Sequence, residues 1–131
     1  LSETNTVTGS DFSQYFLNYI ANNQPGIDLL LLDAITIDTK KKFDCIYSNK
    51  VLQHLNNDEL IQSLHRQMAA LNENGIICHS FWKGEDCYEM DGALFNHHLE
   101  ENLDEFFSSH FEIGFGLILS LTMYWSIQGI I

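Results

Sequence analysis

The chain has 131 residues, 45% of them hydrophobic and 18% charged, the proportions of one globular domain with an ordinary core rather than of a disordered segment. Six Lys and Arg stand against eighteen Asp and Glu, a formal charge of -12; a phosphate backbone would meet net repulsion and no basic stripe offsets it, which argues against nucleic acid as a direct partner. Cys45, Cys78 and Cys87 are odd in number and two of them sit in apolar runs, which favours a reducing cytoplasm.

In chain order, "TVTGSD" reads as a strand feeding a helix. Phe12, Tyr15, Phe16, Tyr19 and Ile20 then fall on one helical face, with Asp11 or Ser13 capping the first amides. Pro25 and Gly26 break the chain before "IDLLLLDA", whose continuous aliphatics predict a strand covered on both faces. "FDCIYS" is another short buried strand. Asn56, Asn57, Asp58 and Glu59 open a helix that carries Leu60, Ile61, Leu64, Met68 and Leu71 at helical spacing and closes at Asn74-Gly75. "IICHSF" is the next strand, a helix follows around Leu99, Leu103, Phe106 and Phe107, and "HFEIGFGLILS" and "LTMYWSIQGII" close the chain as strands. The pattern is α/β, mostly parallel, with an antiparallel pair at the end.

Two features bear on the compartment. No basic stretch precedes an apolar one at the N-terminus, which argues against a secretory signal in the sequence as given. From Ile113 to Ile131 nineteen residues carry no charge, the crude length of a membrane span. Glycines and polar residues interrupt that run, no Lys or Arg flanks it, and Phe111, Ile113 and Phe115 alternate with Glu112, Gly114 and Gly116. A pair of buried strands is the expectation, and no membrane contact.

In open α/β sheets ligands bind beyond the carboxyl ends of the strands. Those positions here are Asp11, Asp33-Ala34, Ser48-Asn49 and the stretch from His79 to Trp82. A carboxylate there can accept hydrogen bonds from a ribose diol or an exocyclic amine, although Asp is also common in turns and helix caps.

The order "VTGSDFS", "LLLDAITID", "KKFDCIYSNKVLQHL" and "LNENGIICHSFWKG" resembles the class I S-adenosylmethionine-dependent methyltransferases, and among them the small-molecule type. The resemblance implies a Rossmann-like, mostly parallel sheet with helices on both faces and a C-terminal antiparallel strand pair. It implies S-adenosylmethionine as cofactor, with Asp11 on the ribose hydroxyls, Phe12 beside the adenine, Asp33 on the adenine amino group with the Ala34 amide assisting, and Ser48 and Asn49 flanking the methionine part. His54 stands where the family often has a histidine, able to orient the cofactor or take a substrate proton; a lone histidine can equally be satisfied by a backbone carbonyl. Trp82, Tyr88 and Phe95 are available to shape a substrate pocket or to pack as core. The acidic surface suits neutral or cationic small molecules.

The sequence departs from the family at its opening. The family begins with a central strand and a glycine-rich loop, and neither precedes Asp11. Gly114-Phe115-Gly116 has no third glycine or following helix and does not replace it. The chain is then a fragment, a degenerate relative, or a partner to another chain that supplies the strand. The first is favoured, because a sheet without its central strand leaves backbone groups and apolar faces uncovered. Residues 1–131 are expected to be a single partial methyltransferase-like domain. The alternative is a non-catalytic interaction domain that no longer binds cofactor, and an exposed sheet edge offers a route to a homo-oligomer. Cys78, His79, Cys87, His97 and His98 lack metal-ligand spacing, so no metal site is expected.

Overall fold

The computed structural model describes residues 5–108, 112–117 and 123–129. β1 (Thr8–Asp11) leads into α1 (Gln14–Asn23), which returns to β2 (Asp28–Leu31). β3 (Phe43–Asn49) is followed by a short 3-10 turn, Leu52–His54, then α2 (Asn57–Ala70) and β4 (Leu71–Trp82). A hairpin of β5 (Cys87–Met90) and β6 (Ala93–Asn96), then α3 (Glu100–Ser108), β7 (Glu112–Leu117) and β8 (Met123–Gly129) complete the order.

β1 and β2 pair in parallel, Asp11 opposite Leu31. A four-stranded sheet has the order β3-β4-β8-β7, with β3 parallel to β4 and the remaining pairings antiparallel. The expected C-terminal antiparallel pair is therefore β7 and β8, and the architecture is α/β with parallel pairings as expected, mixed with antiparallel ones among the described residues. No strand links β1 to β3 among the described residues. Nor is any described helix long and apolar enough to cross a membrane.

Local chemistry accounts for the helix starts. Ser13 is the N-cap of α1, its hydroxyl accepting from the Phe16 amide. Asn56 and Glu59 form a reciprocal capping box on α2, the Asn56 carboxamide accepting from Glu59 N at 3.0 Å and the Glu59 carboxylate from Asn56 N at 2.9 Å. Asp58 and Glu59 add negative charge where the helix dipole is positive. α2 buries Leu60, Ser63, Leu64, Gln67 and Ala70. With Leu52, Leu103 and Phe107 this face closes over Ile77 and Phe81 of β4, both without exposed surface.

Four local expectations differ from the fold, and the first is that β3, expected as a buried strand, has no buried residue and leaves Tyr47 half exposed. The aromatic row of the first helix is not a core face: Phe12, Tyr15, Phe16 and Tyr19 are 79%, 77%, 56% and 60% exposed, and the two-stranded sheet beside α1 takes in only Leu17. β2 is not covered on both sides either; among the described residues it has one neighbouring strand, and Leu31 is exposed. α2 ends at Ala70 rather than at Asn74-Gly75. Those two residues instead end a bulge, Asn72 to Gly75, inside β4, where the pairing jumps from Phe43 with Leu71 to Cys45 with Ile76. Asn74 is left-handed there, at φ 60°.

A Cβ at Gly75 would lie 2.9 Å from the Asn72 carbonyl oxygen and 2.9 Å from Leu71 Cδ2. Gly75→Ala is expected to cost about 1–3 kcal/mol, the range for overpacking a filled site, and Phe107→Ala about 3–5 kcal/mol for the cavity it leaves. Urea unfolding of both variants against the parent measures this.

Candidate functional site

Between the β1–β2 pair and β3 lies a cleft of about 410 Å³, within the range of about 300–1,000 Å³ usual for small-molecule sites. Thr8, Ser10, Asp11 and Phe12 line one side, Leu30, Leu32, Ala34 and Ile37 follow from β2 and its exit, and Cys45 to Asn49 line the other, with Gln67 and His79 also lining it. Burial raises the pKa of the Cys45 thiol, so the group offered there is a neutral thiol.

Each acidic strand end divides its carboxylate. Asp11 Oδ1 accepts from the Ser13 amide at 2.7 Å while its backbone carbonyl accepts from Leu32 N at 3.0 Å. Asp33 Oδ1 accepts from Ile35 N at 2.7 Å and Thr36 N at 3.0 Å. One oxygen of each braces the turn after its own strand, and the second is the one a ligand could use. Asp33 is exposed and does not line the cleft; Ala34 does.

β3 stops for a local reason. Lys50 adopts a left-handed conformation at φ 58°, uncommon for a residue with a side chain. Its amide donates to Ser80 Oγ at 3.0 Å, and Ser80 Oγ in turn donates to Asn49 Oδ1 at 2.5 Å. The chain is thus turned out of the sheet just past Ser48 and Asn49, which both line the cleft.

Behind Ser48 sits a histidine with 1% of its surface exposed. His79 Nδ1 lies 2.8 Å from Ser48 Oγ, and Nε2 lies 2.7 Å from Gln67 Oε1. Burial lowers its pKa to about 3, against an ordinary 6.5. The ring is therefore neutral across the physiological range.

His54, Trp82 and Tyr88 occupy a different place. The Leu94 carbonyl accepts from His54 Nδ1 at 2.7 Å, which puts the proton on that nitrogen and leaves Nε2 with a lone pair. Phe95 meets the His54 ring edge-on at 4.8 Å. Tyr88 stacks on Phe95 at 5.3 Å and meets His97 edge-on, while Trp82 stacks on His97 at 6.1 Å. Lys50 Nζ stands 4.6 Å over the Trp82 ring. None of these three residues lines the cleft, although Val51 and Leu52, just before His54, do.

A family of methyltransferase domains matches residues 1–78, more than half of the chain. The chain belongs to the methyltransferase-domain family. Solved structures agree with that assignment at the level of fold. Over 98% of its length this methyltransferase domain matches the Burkholderia thailandensis 1,6-didemethyltoxoflavin N1-methyltransferase, crystallised with 1,6-didemethyltoxoflavin and S-adenosylhomocysteine, at a TM-score of 0.81 and 17% identity. It spans 63% of that enzyme's length. An S-adenosylmethionine-dependent methyltransferase from Clostridium acetobutylicum matches 96% of the chain over 75% of its own, at a TM-score of 0.79 and 12% identity. An amino pentose methyltransferase from Micromonospora echinaspora, solved with S-adenosylmethionine, matches 93% over 73%, at 0.70 and 15%. No curated protein matches the chain.

Of the site residues read from the sequence, the cleft gathers Asp11, Phe12, Ala34, Ser48 and Asn49, and leaves Asp33, His54, Trp82 and Tyr88 outside its lining. Ser63 and Gln67 are not among them, and His79 is there only as the first residue of the strand-end stretch to Trp82, without a role. Their signal was polar residues at core spacing: Ser63 and Gln67 share a helical face with Leu60 and Leu64, and His79 alternates with Ile77 and Phe81.

Because the folded state keeps His79 neutral, its contribution to stability is complete above pH 6.5 and is lost as the pH falls from 6.5 towards 3, where only the unfolded chain takes the proton. Over that window this group alone makes stability fall by about 1.4 kcal/mol per pH unit. Urea unfolding between pH 7 and pH 4.5 should show a slope shallower by that amount in His79→Gln. Part of the remaining slope comes from His98, whose pKa burial and then His97 also lower.

Proposed function

We propose that this chain transfers a methyl group from S-adenosylmethionine to a small-molecule acceptor, as one partial methyltransferase-like domain over residues 1–131 and as a portion of a larger catalytic unit. The observation that carries the reading is the convergence of Asp11, Phe12, Ala34, Ser48 and Asn49 on one cleft at the carboxyl ends of parallel strands. Reading it as a portion of a larger unit is supported by its 63% span of the Burkholderia enzyme and by the lack of a described strand between β1 and β3.

The second carboxylate oxygen of Asp11 accepts from the ribose diol. Phe12 and Ile37 offer apolar surface to the base, with Ala34 beside it and Asp33 next in the chain. Ser48 and Asn49 flank the amino-acid end. S-adenosylmethionine, when bound, supplies an electrophilic methyl group. The chain aligns the acceptor and excludes water; His54, outside the cleft lining, is the proposed base for an acceptor that extends past the cleft-lining Val51 and Leu52 towards its Nε2. Trp82 and Tyr88 shape the acceptor side, and the charge of -12 favours neutral or cationic acceptors over anionic ones. The free cysteines Cys45, Cys78 and Cys87 suit a reducing cytoplasm.

The exposed row of Phe12, Tyr15, Phe16 and Tyr19 favours a second reading, a methyltransferase-like interaction domain without catalysis.

Calorimetric titration of S-adenosylhomocysteine separates the two. Saturable binding is expected, weakened about 10- to 100-fold in Asp11→Ala, the loss of a charge-assisted hydrogen bond, and weakened less in Asp33→Ala. Asp11→Asn keeps an acceptor for the Ser13 amide and controls for the turn. A folded parent that binds nothing refutes cofactor binding by this chain on its own and leaves either a portion that needs the rest of a larger unit or the interaction domain.

A further inference from the structure

The hydrogen bonds behind the cleft run in one direction. Ser63 Oγ lies 2.5 Å from the Ala34 carbonyl oxygen, which can only accept, so the hydroxyl donates there. Ser63 Oγ therefore accepts from Gln67 Nε2 at 3.1 Å, which turns Gln67 Oε1 towards His79. His79 Nε2 must carry the proton to donate to that oxygen, and Nδ1 is left as an acceptor. Ser48 Oγ donates to Nδ1. Its hydroxyl proton is thereby committed inward, and the oxygen's lone pairs remain for the cleft.

We propose that His79, set in its tautomer by Gln67 and Ser63, is a positioning residue that holds the Ser48 hydroxyl as a hydrogen-bond acceptor towards the cleft and so selects a ligand that presents an N–H or O–H donor there. Asn49 beside it has its carboxamide oxygen occupied by Ser80 Oγ and offers its amino group. Adjacent positions at the strand end thus present an acceptor and a donor, complementary to a ligand end with an ammonium next to a carboxylate. A buried ring needs partners on both nitrogens in any role; what ties this one to the cleft is that its Nδ1 partner is a cleft-lining hydroxyl and its Nε2 partner is itself oriented by Ser63 and the Ala34 carbonyl. That the ligand is S-adenosylmethionine or its product rests on the methyl-transfer reading; the direction of the relay does not.

The test is nitrogen-15 NMR of the histidine rings. In the free parent at pH 7, His79 is expected as the Nε2–H tautomer with unprotonated Nδ1. Gln67→Glu still accepts from Nε2–H and should retain it, whereas Gln67→Met should give a mixture. An Nδ1–H tautomer in the parent, or identical spectra in both variants, overturns the relay. Adding S-adenosylhomocysteine is expected to move the Nδ1 resonance towards the protonated position, because an oxygen that accepts from the ligand donates more strongly to the ring, and Ser48→Ala should abolish the shift and weaken binding about tenfold. Binding seen by calorimetry with an unmoved Nδ1 overturns the ligand-selecting role. Absence of binding refutes cofactor binding by this chain on its own, while the tautomer in the free protein still decides the relay.

Discussion

The parallel pairing of β3 with β4 is the constraint on which the rest of the molecule depends. It sets Ser48 opposite His79 and Asn49 opposite Ser80, and places the buried face of β4 under α2. A slip of one residue would turn Ile77, His79 and Phe81 away from the core together. The bulge at Asn72 to Gly75 takes up the mismatch between a helix that ends at Ala70 and a strand that must begin beside Phe43. A histidine in this core carries a desolvation cost that its two hydrogen bonds offset, so register, tautomer and the hydroxyl at the cleft are held by the same contacts.

The cleft follows from where strands are present and where none is described. Among the described residues β1 and β3 each have one partner strand, and the space between their sheets opens at the ends where Asp11, Ser48 and Asn49 stand. Among the described residues the same arrangement leaves α1 with little to pack against, which is why a helix with an evident apolar face presents three aromatic rings, Tyr15, Phe16 and Tyr19, to solvent. Stability is concentrated instead around β4, α2 and α3.

Much of the fold was legible because the signals were local. Asn56 and Glu59 have the capping-box spacing, Ser13 stands before a periodic helix, and the short apolar runs are strands. The hairpin of β5 and β6 went unread, although Asp91-Gly92 is the dipeptide that favours such a turn and both residues have positive φ. The helix end was misplaced because Asn74-Gly75 reads as a C-cap whether it closes a helix or a bulge. At the site, the order of strand-end residues was informative because parallel sheets gather those ends. The relay was not legible in the same way: whether Gln67 and His79 meet depends on the crossing of α2 over β4, which spacing along the chain does not contain. His54, Trp82 and Tyr88 lie close to the expected region in sequence, yet the turn at Lys50 and the β5–β6 hairpin gather them into an aromatic group outside the cleft lining.

Hydrogen exchange with and without S-adenosylhomocysteine tests the central claim most directly, because it reads where the ligand sits without altering a residue. The account predicts added protection in residues 8–12, 33–37 and 48–52 together, at the three strand ends around one cleft. Protection confined to residues 82–98, or none in a folded chain, would contradict it.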